Sequence, residues 1–312
     1  MTAAVTATRR SLFASGLVLL LVLSLAPVAV AAELEDVLTQ ARESTFTASR
    51  LVVSVWGGQV QVSREHVEYA NGMETVHRDA SWSMVGNGKA ISMGAEPTGV
   101  SYLTEAAPML SSRYTIIEVG DALHLSRPCQ IIMVMEGDIH RATFLVDTRS
   151  GALLVQNFFT DTGRLYRRTT LTDFRPYRTY PAPMDGSHVP VEIVMQNESD
   201  RLPQSVAGYE LVDAFSAPEQ GYYSDGFFSF SLFILGRTAV SGFEDPMVFT
   251  VDSGVYDMVP TARDVALHWS DGSNNYVLVG NLPPDHLVDV LGDLPSPEPR
   301  GVWARWWQKI FR

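Results

Sequence analysis

The chain has 312 residues, 23 basic against 35 acidic side chains, and a single cysteine. A formal net charge of −12 argues against nucleic acid as the main partner, because phosphate neutralisation needs a basic surface. One cysteine excludes an intrachain disulfide framework and a cysteine-rich metal site, while 46% hydrophobic and 19% charged residues mark a globular chain long enough for one large domain or two ordinary ones.

Residues 1–31 read as a signal peptide. Arg9 and Arg10 form a positive start, Leu17 to Leu25 an apolar core, and Ala29-Val30-Ala31 a small-residue cleavage site. The rival reading, an uncleaved anchor, is disfavoured because the core is shorter than the ~20 residues a membrane span needs. Export is the expectation, and Cys129 is then a lone buried thiol. Leu34, Val37, Leu38 and Ala41 follow helical spacing, with Glu33, Glu35 and Asp36 at the favoured acidic start.

The body then reads as sheet. Short β-rich runs fall at 50–56, 60–69, 75–85, 90–93, 114–119, 130–136, 142–147, 153–159 and 165–174. Gly57-Gly58, Asn71-Gly72, Gly86-Asn87-Gly88, Gly137-Asp138, Ser150-Gly151 and Asp161-Thr162-Gly163 separate them. Alternating runs joined by tight Gly, Asn and Asp turns predict consecutive antiparallel hairpins. Apolar side chains beyond the needs of a one-sided sheet predict a strongly curved sheet with a filled or ligand-holding concave face. Pro176, Pro181, Pro183 and Pro190 break the rhythm and place a boundary between 177 and 189. A second unit has strands near 209–216, 227–235, 265–269 and 276–280. A helix starts at Pro283-Pro284, buries Leu287, Val290 and Leu291, and stops at Gly292. The division read from this is 1–31 signal peptide, 32–180 curved-sheet domain, 181–205 linker, 206–292 smaller α+β domain, and 293–312 proline-rich linker and tail.

That tail is distinct. Trp303, Trp306, Trp307 and Ile310 recur at helical spacing, with Arg305, Lys309 and Arg312 on the opposite face. A short basic amphipathic helix is marginal alone in water. Three partners fit it: the protein's own body, an anionic membrane surface, or a partner helix. The span 32–299 carries 17 basic against 35 acidic side chains, so the tail is basic on an acidic body.

No chemistry-bearing motif stands out. The chain has no Gly-x-Ser-x-Gly elbow, no phosphate-binding glycine loop, no His-Glu-x-x-His zinc helix and no cofactor motif. His66 and His77 flank the Asn71-Gly72 turn, but two histidines without a third ligand do not make a metal site. His188 and His286 stand beside acids, as chance allows in an acidic chain. The reading is a binding protein and not an enzyme. Trp56, Tyr69, Trp82, Met84, Met133, Met135, Phe144 and Phe158 either pack a core or line an apolar pocket, methionine being suited to adaptable contacts.

Three stretches resemble the RseB/MucB family of periplasmic regulators of the sigma-E envelope-stress response. Tyr223-Ser224-Asp225-Gly226-Phe227-Phe228-Ser229-Phe230-Ser231 is similar to the family's Tyr-Ser-Asp-Gly-Leu-Phe-Ser-Phe-Ser. Val279-Gly280-Asn281-Leu282-Pro283-Pro284 resembles Val-Gly-Glu-Leu-Pro-Pro, with Asn281 in place of the acid. Arg127-Pro128-Cys129-Gln130-Ile131-Ile132, followed by Leu145-Val146-Asp147, is similar to the family's Arg-x-Cys and Trp-x-Asp strands. The tryptophan-rich tail is not a family feature. The resemblance implies a mainly β fold with a LolA-like antiparallel half-barrel, a covering helix and a smaller α+β domain. It implies a periplasmic protein that binds the periplasmic segment of an RseA/MucA-like anti-sigma factor and shields it from proteolysis. Lipid or lipopolysaccharide would be sensed in the half-barrel, and no cofactor is implied. Tyr223, Asp225, Phe227, Phe228 and Phe230 would contact the partner, core packing being the alternative for the phenylalanines. Trp303, Arg305, Trp306, Trp307 and Lys309 would be the membrane-facing part of the tail. The competing reading is a lipid or lipoprotein carrier of LolA type.

Overall fold

The computed structural model describes residues 44–70, 73–78, 81–86, 89–93, 113–177, 201–216, 219–236, 243 and 245–298. The signal peptide, the helix expected at 34–41 and the tail 301–312 lie outside these residues.

Ten antiparallel strands form the first sheet. They are β1 (Phe46–Trp56), β2 (Gln59–Ala70), β3 (Met73–Arg78), β4 (Ser81–Gly86), β5 (Lys89–Met93), β6 (Tyr114–His124), β7 (Arg127–Glu136), β8 (Ile139–Asp147), β9 (Leu153–Phe159) and β10 (Leu165–Arg175). Their order is β5-β4-β3-β2-β1-β10-β9-β8-β7-β6, so two runs of hairpins meet where β1 pairs with β10. The sheet is open among the described residues, and Arg127 on β7 reaches over β8 and β9 to lie 4.8 Å from the ring centroid of Phe174 on β10. One face of β1 carries the buried Phe46, Ala48, Arg50, Val52, Ser54 and Trp56, and Thr47 and Ser49 of the other face are buried as well. The sequence run 75–85 is two strands here, β3 and β4.

Eight strands form the second sheet: β11 (Ser205–Val206), β12 (Tyr209–Ser216), β13 (Glu219–Ser224), β14 (Ser229–Gly236), β15 (Met247–Val251), β16 (Gly254–Pro260), β17 (Val265–Ser270) and β18 (Asn274–Gly280). Their order is β11-β12-β13-β14-β18-β17-β16-β15, again antiparallel. The helix α1 (Pro284–Asp293) starts on proline at its first position and buries His286, Leu287, Val290 and Leu291. Among the described residues the fold is therefore the expected one: mainly β, two antiparallel sheets, and a helix on the second.

One hydrophobic core runs through both sheets. It joins Trp56, Phe144 and Phe158 of the first to Phe227, Phe230, Leu278 and the α1 leucines of the second. A smaller cluster of Phe46, Val67, Tyr69, Cys129, Leu154 and Leu171 belongs to the first sheet alone. Two of the stretches singled out in the sequence meet here. Asn281 donates its backbone N–H to the Ser229 carbonyl (3.1 Å), and its side-chain oxygen accepts the Ser229 amide (2.9 Å). Gly280 is required beside them, since a Cβ there would stand 2.5 Å from the Phe230 Cβ. The third stretch closes on itself: Asp147, fully buried, takes both arms of the Arg127 guanidinium at 3.0 and 2.8 Å. This fork-to-fork pairing is the strong geometry for arginine and carboxylate.

Candidate functional site

The turn between β13 and β14 is Asp225-Gly226-Phe227-Phe228. Gly226 takes a φ of 91°, which an L side chain rarely adopts. Asp225 accepts the amides of Phe227 (2.9 Å) and Phe228 (2.8 Å) through one carboxylate oxygen. Ser224 accepts the Gly226 amide (3.0 Å) and donates to the Phe228 carbonyl (3.2 Å). Short polar side chains thus satisfy the turn's own backbone. Phe227 and Phe228 are consequently turn residues and not, as the sequence suggests, the start of a strand.

The turn drives both rings into the first sheet. Phe227 lies 5.1 Å from Tyr114, 6.1 Å from Phe144 and 6.0 Å from Phe158, between centroids. Phe228 packs on Tyr114, Phe158 and His286. Such tilted and edge-on pairs are favourable beyond the area they bury. The second Asp225 oxygen accepts the Tyr114 hydroxyl at 2.5 Å and pairs with Arg113 at 3.2 Å. Burial, then the Asp225 charge, pushes the Tyr114 phenol far above its ordinary range, so it stays a proton donor.

A charged cluster lies beside this plug. Glu136 accepts Arg113 and Arg141 at 2.6 Å each and stands 3.0 Å from His286 Nε2. Arg141 also pairs with Asp285 of α1 at 2.7 Å. The Tyr209 hydroxyl lies 2.6 Å from His286 Nδ1. His286 Nε2 is 2.9 Å from Arg141 as well, and a hydroxyl at Nδ1 complements either tautomer because it donates or accepts. Burial alone would raise Glu136. The hydrogen bonds from His286 and Arg113, with their charges, outweigh it and hold the carboxylate well below the usual range.

A second contact pins the sheets at the β16–β17 turn. Ser54 donates to the Thr261 carbonyl (2.9 Å) and Arg167 to the Arg263 carbonyl (2.7 Å). Glu65, 2% exposed, holds Arg50 at 2.8 Å and pairs with Arg263 from the second sheet. Burial, with Arg50 nearby, lowers the Arg263 guanidinium well below its ordinary value.

The residues expected to form a pocket are divided by this arrangement. Trp56, Phe144 and Phe158 are buried in the shared core, Trp56 packing edge-on to Tyr166 at 5.9 Å. Tyr69 stacks on Phe46 in the separate cluster. Met133 and Met135 are half-buried on β7. Positions 82 and 84 pair in register with 77 and 75, alternating with the position opposite Val76. Tyr223, Asp225, Phe227, Phe228 and Phe230, expected as partner contacts, are each 5% exposed or less and pack inside this structure. Trp303, Arg305, Trp306, Trp307 and Lys309 lie outside the described residues. His66 and His77 stand opposite each other in the β2–β3 register, and His66 meets Ser49 at 3.2 Å. No group of three potential metal ligands occurs among the described residues. Sequence reasoning missed Arg113, Glu136, Arg141, Tyr209 and His286, the hub of the interface. Its one local signal is a histidine in the first turn of a helix, flanked by Asp285.

No protein-family model and no curated protein matches the sequence. Solved structures do. The crystal structure of MucB superposes with a TM-score of 0.52 at 19% identity, covering 85% of this chain and 97% of that one. The complex structure of Pseudomonas aeruginosa MucA/MucB gives 0.51 at 18% identity, covering 88% and 100%. A LolA superfamily protein from Nitrosomonas europaea aligns with 47% of this chain at a TM-score of 0.22, too low to carry an argument. By fold the chain is similar to MucB along most of its length.

Proposed function

We propose that this chain is an exported regulator that binds the periplasmic segment of a MucA-like membrane anti-sigma factor and shields it from proteolysis. The observation that carries this reading is the coverage of the match: the whole of the MucB chain in the MucA/MucB complex aligns with 88% of this one, both sheets included. A one-domain carrier would have no use for the second sheet, nor for the Asp225 turn that locks it to the first.

Lipid sensing is the finer part of the proposal. Phe144 and Phe158 are covered by Phe227. A lipid chain entering the first sheet there competes with that ring for the same apolar face. Ligand and partner are then coupled through the fit between the sheets, and a lipid that favours the parted arrangement weakens the partner complex by the same factor. The test is capture of a purified MucA-like periplasmic segment by the mature chain, with and without added lipid. Binding that falls as lipid rises supports both parts; no capture at micromolar concentration refutes the regulator reading.

A further inference from the structure

The face of β1 that carries Val52, Ser54 and Trp56 is buried, and the opposite face of the same hairpin is not. On β2 that opposite face shows Val60, Val62 and Arg64, all exposed, the valines at 61% and 62%. Directly across on β1 stand Val55, Val53 and Leu51, the first two half-buried and the last 37% exposed. On the far side of β1, Arg168 of β10 stands opposite Val53 and is exposed. Five aliphatic side chains thus form a patch with an exposed arginine on either flank. The patch ends at the Gly57-Gly58 turn on one side and at the Ser49–His66 pair on the other.

No acid stands among these positions. Glu65, the carboxylate next in sequence, belongs to the other face, where it holds Arg50. Among the described residues Arg64 makes no ion pair, and Arg168 donates only to the Thr170 hydroxyl at 3.3 Å. Two unneutralised arginines beside bare valines are an exception in a body of 17 basic against 35 acidic side chains. The same stretch of β2 is an open edge. β3 pairs with β2 only from His66 to Ala70, so residues 59–65 pair with β1 alone among the described residues. In an antiparallel strand alternate N–H and C=O groups point to each side, and an edge with such groups free is a template for a further strand.

We propose that this edge and its patch bind an extended acidic segment of another protein by strand addition. The segment's backbone pairs with residues 59–65, its apolar side chains lie on Val60 and Val62, and its carboxylate meets Arg64. Arg168, two strand spacings or ~10 Å away, adds to the positive field that favours an acid. Charge decides the sign of the partner, and the open edge decides its form. An anionic bilayer would satisfy the arginines but not the backbone groups of the edge, which are costly to leave unpaired against apolar matter. A second copy of this chain, paired edge to edge about Val62, would set Arg64 against Val60 and bring no acid to either arginine. The surface lies apart from the fit between the two sheets, so the proposal stands independently of the anti-sigma reading.

The test uses labelled seven-residue peptides and the mature full chain. Thr-Glu-Thr-Val-Thr-Val-Thr, in antiparallel register, sets its glutamate opposite Arg64 and its valines opposite Val62 and Val60. A second peptide has lysine for the glutamate, and a third has Pro-Pro for the central Val-Thr. By fluorescence anisotropy the glutamate peptide should bind about ten-fold more tightly than the lysine peptide. Arg64→Glu should reverse that preference, and Val62→Asn should weaken binding of the glutamate peptide about five-fold; circular dichroism establishes that both surface variants are folded. The proline peptide should not bind. No binding of the glutamate peptide at millimolar concentration overturns the proposal, as does equal binding of all three peptides or an unchanged preference in Arg64→Glu. Sedimentation supplies two further refutations. A wild-type dimer dispersed by Val62→Asn would assign the edge to a second copy. Binding to phosphatidylglycerol vesicles that Arg64→Glu abolishes would assign the patch to a lipid surface.

Discussion

Replacing Asp225 by Asn separates the two tasks of that carboxylate. The amide oxygen of Asn can still accept the Phe227 and Phe228 amides, at 2.9 and 2.8 Å in the wild type. The other oxygen, which accepts the Tyr114 hydroxyl and faces Arg113, becomes an NH2 group without charge. A hydrogen bond to a charged acceptor contributes ~1.5–3 kcal/mol. The Arg113 pair adds to this only in part, because the guanidinium keeps Glu136 as a partner when the 1% exposed Asp225 carboxylate is neutralised. The expected loss is therefore about 2–3 kcal/mol, roughly 4–12 °C in Tm for units of this size. Tyr114→Phe should cost ~1.5–3 kcal/mol by removing the donor from a buried carboxylate. Because both changes break one bond, the double variant should fall short of their sum by ~1 kcal/mol or more. Thermal unfolding of the four proteins supplies the cycle. Additivity within ~0.5 kcal/mol would show that the bond does not join the sheets as described.

Glu65→Leu should destabilise by ~3–5 kcal/mol, because it leaves the Arg50 and Arg263 guanidiniums together without their shared carboxylate; chemical denaturation measures it. Gly280→Ala should cost at least ~1–3 kcal/mol by overpacking, since its Cβ would meet Phe230 and the Ser229 carbonyl. Unchanged stability there would contradict the tight contact of β14 with β18. Glu136 is held below its ordinary value in the folded state, so the unfolded chain binds its proton first as pH falls. Its contribution is fully present above ~4.3, the ordinary glutamate value, and is lost as acid takes the pH toward the depressed folded value. Glu136→Gln should be less stable at neutral pH and show a shallower loss of stability from about pH 5 downward.

The strands of the first sheet were legible because Gly, Asn and Asp turns punctuate them; the pairing of β1 with β10 closes the pattern that hairpins begin. The run 75–85 hid a break because it contains no glycine or asparagine, only Asp79. In the second sheet β11, β13, β15 and β16 are absent from the sequence reading, β11 because it is two residues long. Asp252-Ser253-Gly254 is a turn signal that marks the β15–β16 hairpin. Phe227 and Phe228 look like strand residues by composition, but the Asp225 cap and the positive φ of Gly226 fold them into a turn. Of the charged hub only His286, beside Asp285 in the first turn of a helix, left a local signal. Arg113, Glu136, Arg141, Tyr209 and His286 come from five separate segments, and no local spacing records a cluster that only the docking of the sheets assembles.

The proposed recognition of an anti-sigma factor is tested most closely by direct binding. Titration of the mature full-length chain with the purified periplasmic segment of a MucA-like protein, followed by calorimetry, should show saturable binding in the micromolar range or tighter. A folded protein that shows no heat of binding and no capture of that segment at those concentrations would refute the proposed recognition.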